Sequence, residues 1–264
     1  MTNTSTNAKL GRLFLVPAPL DFGCGEEIEL QQVMPMGTIA AAASITHWIC
    51  ENAKTTRAYL KRIDACIPLK AVIQAQTIAE LPRQVHKKGD HLGGFDAKPL
   101  LTSALTGEDM GLVSEAGMPA VADPGSSVVR AAHELGIQVV PLVGPVSLLL
   151  ALASSGLNGQ NFAFVGYLPQ EPQDRVRRIK ELEQHALKSG QTQLFIETPY
   201  RNAALWSSLT QTLQPGSRLA FSSGLTLSSA VNLSLTIQQW RKMPSGKLPE
   251  GLSNQTPAVF AVGV

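Results

Sequence analysis

Residues 110–157, MGLVSEAGMPAVADPGSSVVRAAHELGIQVVPLVGPVSLLLALASSGL, limit the folds open to this chain more than any other stretch. An apolar strand over 110–114 runs into a glycine turn, Glu115-Ala116-Gly117-Met118-Pro119. Asp123-Pro124 then opens a helix, with Asp123 as its cap or, alternatively, a ligand contact; Gly136 closes it, and 137–140 form a second strand. A second tight turn, Pro141-Leu142-Val143-Gly144-Pro145, leads into a helix of small residues with Pro145 at its first position. Two strands joined through a helix in this way pair in parallel. In an open parallel sheet, turns that follow such strands line the ligand crevice.

The flanking sequence supplies the rest of an α/β protein. RLFLV at 12–16 reads as a buried first strand, stopped by Pro17-Ala18-Pro19. A short helix follows near 26–33, then an alanine-rich helix at 38–43 and a strand at 46–50. Residues 54–63 form a helix with Lys54, Arg57 and Lys61 on one face, a pattern that suits solvated surface or an anionic partner. Residues 71–78 read as a strand, 81–95 as a mobile loop, and 99–106 as a helix. The His and Asp residues of that loop fit no metal-ligand spacing. Beyond Gly156 the pattern predicts strands at 161–167, 193–196, 218–222, 230–236 and 258–262, and helices at 174–188 and 199–213. The first of these helices turns Val176, Ile179, Leu182 and Leu187 inward. It carries Arg175, Arg177, Arg178 and Lys180 near its N-terminus, where the helix dipole disfavours cations, which hints at a partner for them. Residues 244–256 read as mobile, and residues 1–9 as a disordered tail. The expected architecture is two α/β domains, residues 1–157 and 158–264, with a cleft between them.

Composition narrows the function classes. A net charge of +2 gives no general case for nucleic-acid binding, so any basic surface must be local. Three cysteines without CxxC spacing read as free thiols in a reducing compartment. The polar start has no secretory core and no run reaches the length of a membrane span, so a soluble cytoplasmic protein is expected. GxGxxG after the first strand, GxxxxGK[ST] and GxSxG are all missing, which argues against nicotinamide, P-loop and hydrolase sites. What remains is a wall of backbone donors and acceptors at three strand ends, suited to a nucleoside or amino-acid ligand.

The order strand, SEAGMPAVADPG, helix, GIQVVPLVGPVS, helix, then FAFVGYLP resembles the S-adenosylmethionine (SAM)-dependent tetrapyrrole methylase superfamily. Within it, the chain is similar to the branch that methylates a ribose 2′-hydroxyl of 16S ribosomal RNA. The matching segments are 114–125, 140–145 and 164–169, with a weaker echo of a Y-E-S-x-H-R motif at 196–201. The resemblance implies a tetrapyrrole methylase-like fold, two α/β domains with SAM in the cleft between them, and a homodimer. It places Pro19, Glu115, Ala116, Gly117, Met118, Val121, Val146 and Ser147 at the cofactor from the first part of the chain. From the second part it adds Glu197, Leu225, Pro257 and Ala258. The chain departs from the rRNA branch at Glu51-Asn52-Ala53-Lys54, at Ser223-Gly224-Leu225-Thr226-Leu227 and at Thr256-Pro257, where that branch has charged residues.

Methyl transfer from a sulfonium needs donor and acceptor held in line, and a base when the nucleophile is a hydroxyl. Glu115, Asp21 and Glu197 are candidate bases by position alone. The expected activity is SAM-dependent methyl transfer to RNA, with no metal. The alternatives are a small-molecule acceptor such as a tetrapyrrole, and a SAM-binding protein without catalysis.

Overall fold

A computed structural model describes residues 9–21, 23–88, 90, 94–244 and 247–264, with the side chains of residues 86–88 outside that description. The tail at 1–8 and the loop residues 89 and 91–93 therefore lie outside the described residues. The chain divides into two compact units, 1–22 with 28–145, and 23–27 with 146–264.

The first unit is built on β1 (Arg12–Val16). Helices α1 (Leu30–Val33) and α2 (Met36–Ala43) lead to β2 (His47–Cys50), and α3 (Ala53–Cys66) to β3 (Thr77–Glu80). Then come α4 (Arg83–Lys88), a 3-10 turn at Lys98–Leu101, α5 (Thr102–Leu105), β4 (Met110–Val113), α6 (Ser126–Glu134) and β5 (Gln138–Pro141). The sheet order is β3-β2-β4-β1-β5, all parallel. Alternation along the strands splits the core between its two faces. Phe14, Val16, Trp48 and Val113 pack under α2 and α3, and Leu13, Ile49, Met110 and Leu112 pack under α6. Gly111 is required by its neighbour: a Cβ there would lie 2.6 Å from the ring of Trp48, its partner across the β2–β4 ladder. The chain leaves β1 toward β2 on one face and β4 toward β5 on the other, so the crevice of this sheet opens at the C-terminal ends of β1 and β4.

The strand expected at 71–78 begins later, as β3 at Thr77–Glu80, after a 3-10 turn at Ile73–Ala75. Part of the loop expected at 81–95 is helical, as α4.

The second unit holds α7 (Ser147–Ser155), β6 (Phe162–Tyr167), α8 (Pro172–Ser189), β7 (Thr192–Glu197) and, after a 3-10 turn, α9 (Asn202–Thr212). It continues with β8 (Arg218–Ser223), β9 (Val231–Thr236), α10 (Ile237–Trp240) and β10 (Ala258–Gly263). The sheet order is β6-β7-β10-β8-β9; β6 and β7 are parallel and the other pairs antiparallel. Phe195, Phe221 and Phe260 face α8, α9 and α10 in one core, while α7 lays Leu148, Ala151 and Leu152 on Leu194, Ala220, Val259 and Ala261. The expected boundary after residue 157 thus falls inside this unit, because the apolar side of α7 is buried against the second sheet.

Helix α8 corrects the expected inward stripe. Ile179, Leu182 and Ala186 are buried with Arg175 and Glu183, and Leu187 is exposed. Arg175 donates to Ser208 Oγ and to the Gln170 carbonyl, so it is a structural residue. Arg177 and Arg178 pair with Asp174 and Glu181 on their own helix. The partner hinted at by the basic start of α8 is thereby supplied locally for these three arginines.

Candidate active site

Three turns meet at the C-terminal edge of the first sheet. After β1, Ala18 forms a two-hydrogen-bond bridge with Gly117: each N–H donates to the other's carbonyl at 2.9 Å. This joins the Pro17-Ala18-Pro19 turn to the glycine turn after β4. Gly117 has φ 71°, a left-handed conformation that glycine adopts without strain. A Cβ at Gly117 would sit 3.3 Å from Leu20 and 3.6 Å from the Pro145 carbonyl, so the residue is packed among all three turns. Gly144 comes closer still, since its Cβ would lie 2.3 Å from Pro17 Cγ. Both glycines therefore make the convergence of the turns possible. The Ser114 hydroxyl donates to the Ala116 carbonyl and steadies the bend.

Of the expected ligand residues in this unit, Pro19 and Gly117 are buried in the turn packing, Glu115, Ala116 and Met118 are half-buried, and Val121 is exposed. Val121 lies in a strained segment, flanked by Ala120 at φ 64° and Ala122 at φ 66°. An L-residue in that region costs roughly 1–2 kcal/mol. Strain of this kind concentrates at functional loops.

The expected cap of the next helix is corrected. Helix α6 begins at Ser126, and its N-terminus is capped by Asp90 from outside the turn. Asp90 Oδ2 accepts from the Gly125 and Ser127 N–H groups at 2.9 Å, and both serine hydroxyls donate to its carboxyl. Burial alone would raise the Asp90 carboxyl, but these hydrogen bonds outweigh it and hold the group below the usual range. Pro145 likewise lies before the start of α7, whose N-cap is Val146. Gly125 has φ 135°, outside the helical region, so the helix starts after it and not at Pro124.

Asp123 is left without that structural task. Burial pushes its carboxyl up to about 7, and the negative charges of Glu51 and Glu115 add to the shift. Glu51 follows β2 and Glu115 follows β4, so the charges acting on Asp123 come from residues after adjacent strand ends. Thr55 on α3 donates to Glu115 Oε1 at 3.2 Å. Among the described residues no group of His, Cys, Asp and Glu is arranged to hold a metal ion.

The other position-based base candidates are occupied. Arg62 clamps Asp21 through both carboxylate oxygens, and the Ile28 N–H donates to it as well. Glu197, in the second unit, is buried and accepts from the Thr198 N–H, the Thr198 hydroxyl and Arg201.

The residues expected from the second unit form their own group. Ala258 pairs with Glu197 on one side and Ser223 on the other, and the Ser223 hydroxyl donates to the Pro257 carbonyl. Leu225 follows in the turn after β8 and packs with the α7 core, to which the N-terminal Val146 and Ser147 lead. Thr226 beside it has φ 73° and a buried hydroxyl with no partner among the described residues; Arg201 Nη1 is buried in the same condition. Unsatisfied buried polar atoms are rare in folded proteins.

The first unit presents acidic side chains, Glu115 among them, and exposed turn backbone after its strand ends, which suits a cationic nucleoside-type donor. No protein-family profile matches the chain. Over 107 residues it is 40% identical to the ribosomal RNA small subunit methyltransferase I of Xylella fastidiosa, a stretch covering 40% of this chain and 38% of that protein. Over 215 residues it is 32% identical to the protein of the same name from Mesorhizobium japonicum, covering 81% of this chain and 63% of the relative. The chain thus spans between about a third and two thirds of these relatives' length. The crystal structure of the methyltransferase CobJ superposes with a TM-score of 0.57 at 17% identity, over 96% of this chain and 94% of that one. The chain is therefore similar in sequence to ribosomal RNA small subunit methyltransferase I proteins over part of their length, and it has the two-sheet α/β fold of CobJ.

Proposed function

We propose that this protein is a SAM-dependent methyltransferase whose acceptor is RNA of the small ribosomal subunit. The observation that carries the reading is the convergence of three strand-end turns, locked by the Ala18–Gly117 bridge, in a chain homologous to proteins named for that activity. When bound, SAM supplies an activated methyl group on a positively charged sulfur. Glu115, Ala116, Met118 and Val121 would hold it from the first unit, with Pro19 and Gly117 shaping the wall behind them. Val146, Ser147, Glu197, Leu225, Pro257 and Ala258 would contribute from the second. The chain's own part is orientation and water exclusion, which is the larger share of catalysis when the leaving group is already activated.

The exposed Lys54, Arg57 and Lys61 on α3 rise directly after the β2 end and would meet the phosphates of an RNA acceptor. A tetrapyrrole-type acceptor is the second reading, favoured by the shared fold with CobJ over nearly the whole chain. No described helix is long and apolar enough to cross a membrane, and we place the protein in the cytoplasm, as a homodimer by resemblance.

The test is incubation of the chain with methyl-labelled SAM and small ribosomal subunits from cells lacking this gene, followed by mapping of the label. Label at one nucleotide of the RNA is the expected result. Label absent from RNA but present on a tetrapyrrole favours the second reading.

A further inference from the structure

We infer that Tyr59 is a positioning residue for donor binding, acting from α3 through the Pro17 carbonyl to hold the β1 turn in shape. Its role rests on the reading of the joined strand-end turns as the wall that holds SAM. Helix α3 carries three stripes. Lys54, Arg57 and Lys61 are exposed on one, and Thr56, Leu60 and Ile63 are buried on another. Thr55, Tyr59 and Arg62 follow one another at i, i+4 and i+7, the spacing of a single helix face. All three reach the loops at the strand ends. The Tyr59 hydroxyl donates to the Pro17 carbonyl at 2.7 Å. Arg62 donates to both carboxylate oxygens of Asp21 and to the Ile28 carbonyl. The Thr55 hydroxyl has one proton and two acceptors, the Asn52 carbonyl at 3.0 Å and Glu115 Oε1 at 3.2 Å, so its link is the weakest of the three.

The composition of the β1 turn explains why Tyr59 matters most. Pro17 and Pro19 have no N–H, so Ala18 is the one backbone donor of Pro17-Ala18-Pro19, and the Gly117 carbonyl takes it. The Pro17 carbonyl accepts from Tyr59 and from no other described residue. Tyr59 is buried, and burial raises its phenol above the ordinary value, so the hydroxyl stays protonated as a donor. Pro17 is also the residue against which Gly144 packs, and the next residue, Ala18, is bridged to Gly117. A shift at Pro17 is therefore passed to both neighbouring turns. Without the hydroxyl, a buried carbonyl loses its donor and the turn relaxes to find another. Donor binding then has to restore the geometry, and the cost appears as lost affinity.

The test compares the wild type with Tyr59→Phe and Ile63→Val in three measurements: calorimetric affinity for S-adenosylhomocysteine, melting temperature, and KM and kcat for SAM with small ribosomal subunits from cells lacking this gene. Tyr59→Phe keeps the buried ring and removes the hydroxyl alone. Ile63→Val is the matched control: it removes one buried methylene from the same helix and none of the hydrogen bonds to the turns. Both variants should melt below the wild type. Tyr59→Phe alone should bind S-adenosylhomocysteine roughly tenfold more weakly, the factor expected when one buried hydrogen bond is left unmade. Its KM for SAM should rise by a similar factor with kcat nearly unchanged, the mark of lost donor binding. Affinity in Tyr59→Phe equal to that of the wild type overturns the inference. An equal loss of affinity in Ile63→Val also overturns it, since Tyr59 would then act through overall stability. A fall in kcat at unchanged KM does the same. A wild type that binds no S-adenosylhomocysteine defeats the reading of the turns as a donor wall instead.

Discussion

Asp90 and Asp123 show how two carboxyls differ when only one of them is hydrogen-bonded to a helix start. Asp90 accepts four hydrogen bonds from the start of α6, so its charge is held and its work is structural. Among the described residues Asp123 receives none, and the charges of Glu51 and Glu115 act on it. Asp90→Ala should destabilise the protein by about 2–3 kcal/mol, the loss of a cap together with newly unsatisfied buried donors. The Asp90 contribution has a defined pH window. Its folded-state value lies below the usual one, so its stabilisation is complete above about pH 4 and disappears as pH falls through the lowered value. Denaturant unfolding of wild type and variant should give a gap that is constant at neutral pH and closes in acid. A gap that stays constant at acid pH would contradict this assignment. The DP dipeptide at 123–124 concealed the distinction in the sequence. A cap before a proline is the ordinary reading of that pair, and nothing local signals that Asp90 caps the helix from more than thirty residues away.

At the scale of elements, the strands and the long helices were legible because burial imposes their periods. Thus β1, β4 and α9 lie close to their expected places, the apolar residues Leu205 and Leu209 buried at i and i+4 in α9. The misses occur where side chains of mixed character override the pattern. Leu187 was expected inside α8, but the buried stripe runs through Arg175 and Glu183, each satisfied by tertiary hydrogen bonds that a one-dimensional pattern does not contain. The turns were recognisable as turns, while their mutual contacts were not. Gly144 against Pro17 is such a contact. A Gly144→Ala substitution must push the β5 turn away from the β1 turn, at a cost of about 1–3 kcal/mol for overpacking. We expect it to lower the affinity for S-adenosylhomocysteine as well as the melting temperature. Unchanged affinity would show that the joined turns do not form the donor wall.

At the scale of the whole molecule, two units with different sheets share one chain. The first is all parallel, with its crevice fixed by topology; the second is mostly antiparallel, with helices on both faces. Helix α7 follows a first-unit turn in sequence but belongs to the second core, so the passage from one unit to the other comes at 145–146, at the Gly-Pro turn. The sequence placed it later because the glycine after α7 is the more conspicuous break. The cofactor half of the resemblance rests on strand-end turns whose geometry the structure gives; its substrate motifs are not matched, and the RNA reading draws on the basic face of α3 instead. The most direct measurement of the central claim is titration calorimetry of S-adenosylhomocysteine into the purified chain. The account predicts saturable binding at one site per chain, weakened by Gly144→Ala. An absence of binding heat at any concentration of ligand would contradict it.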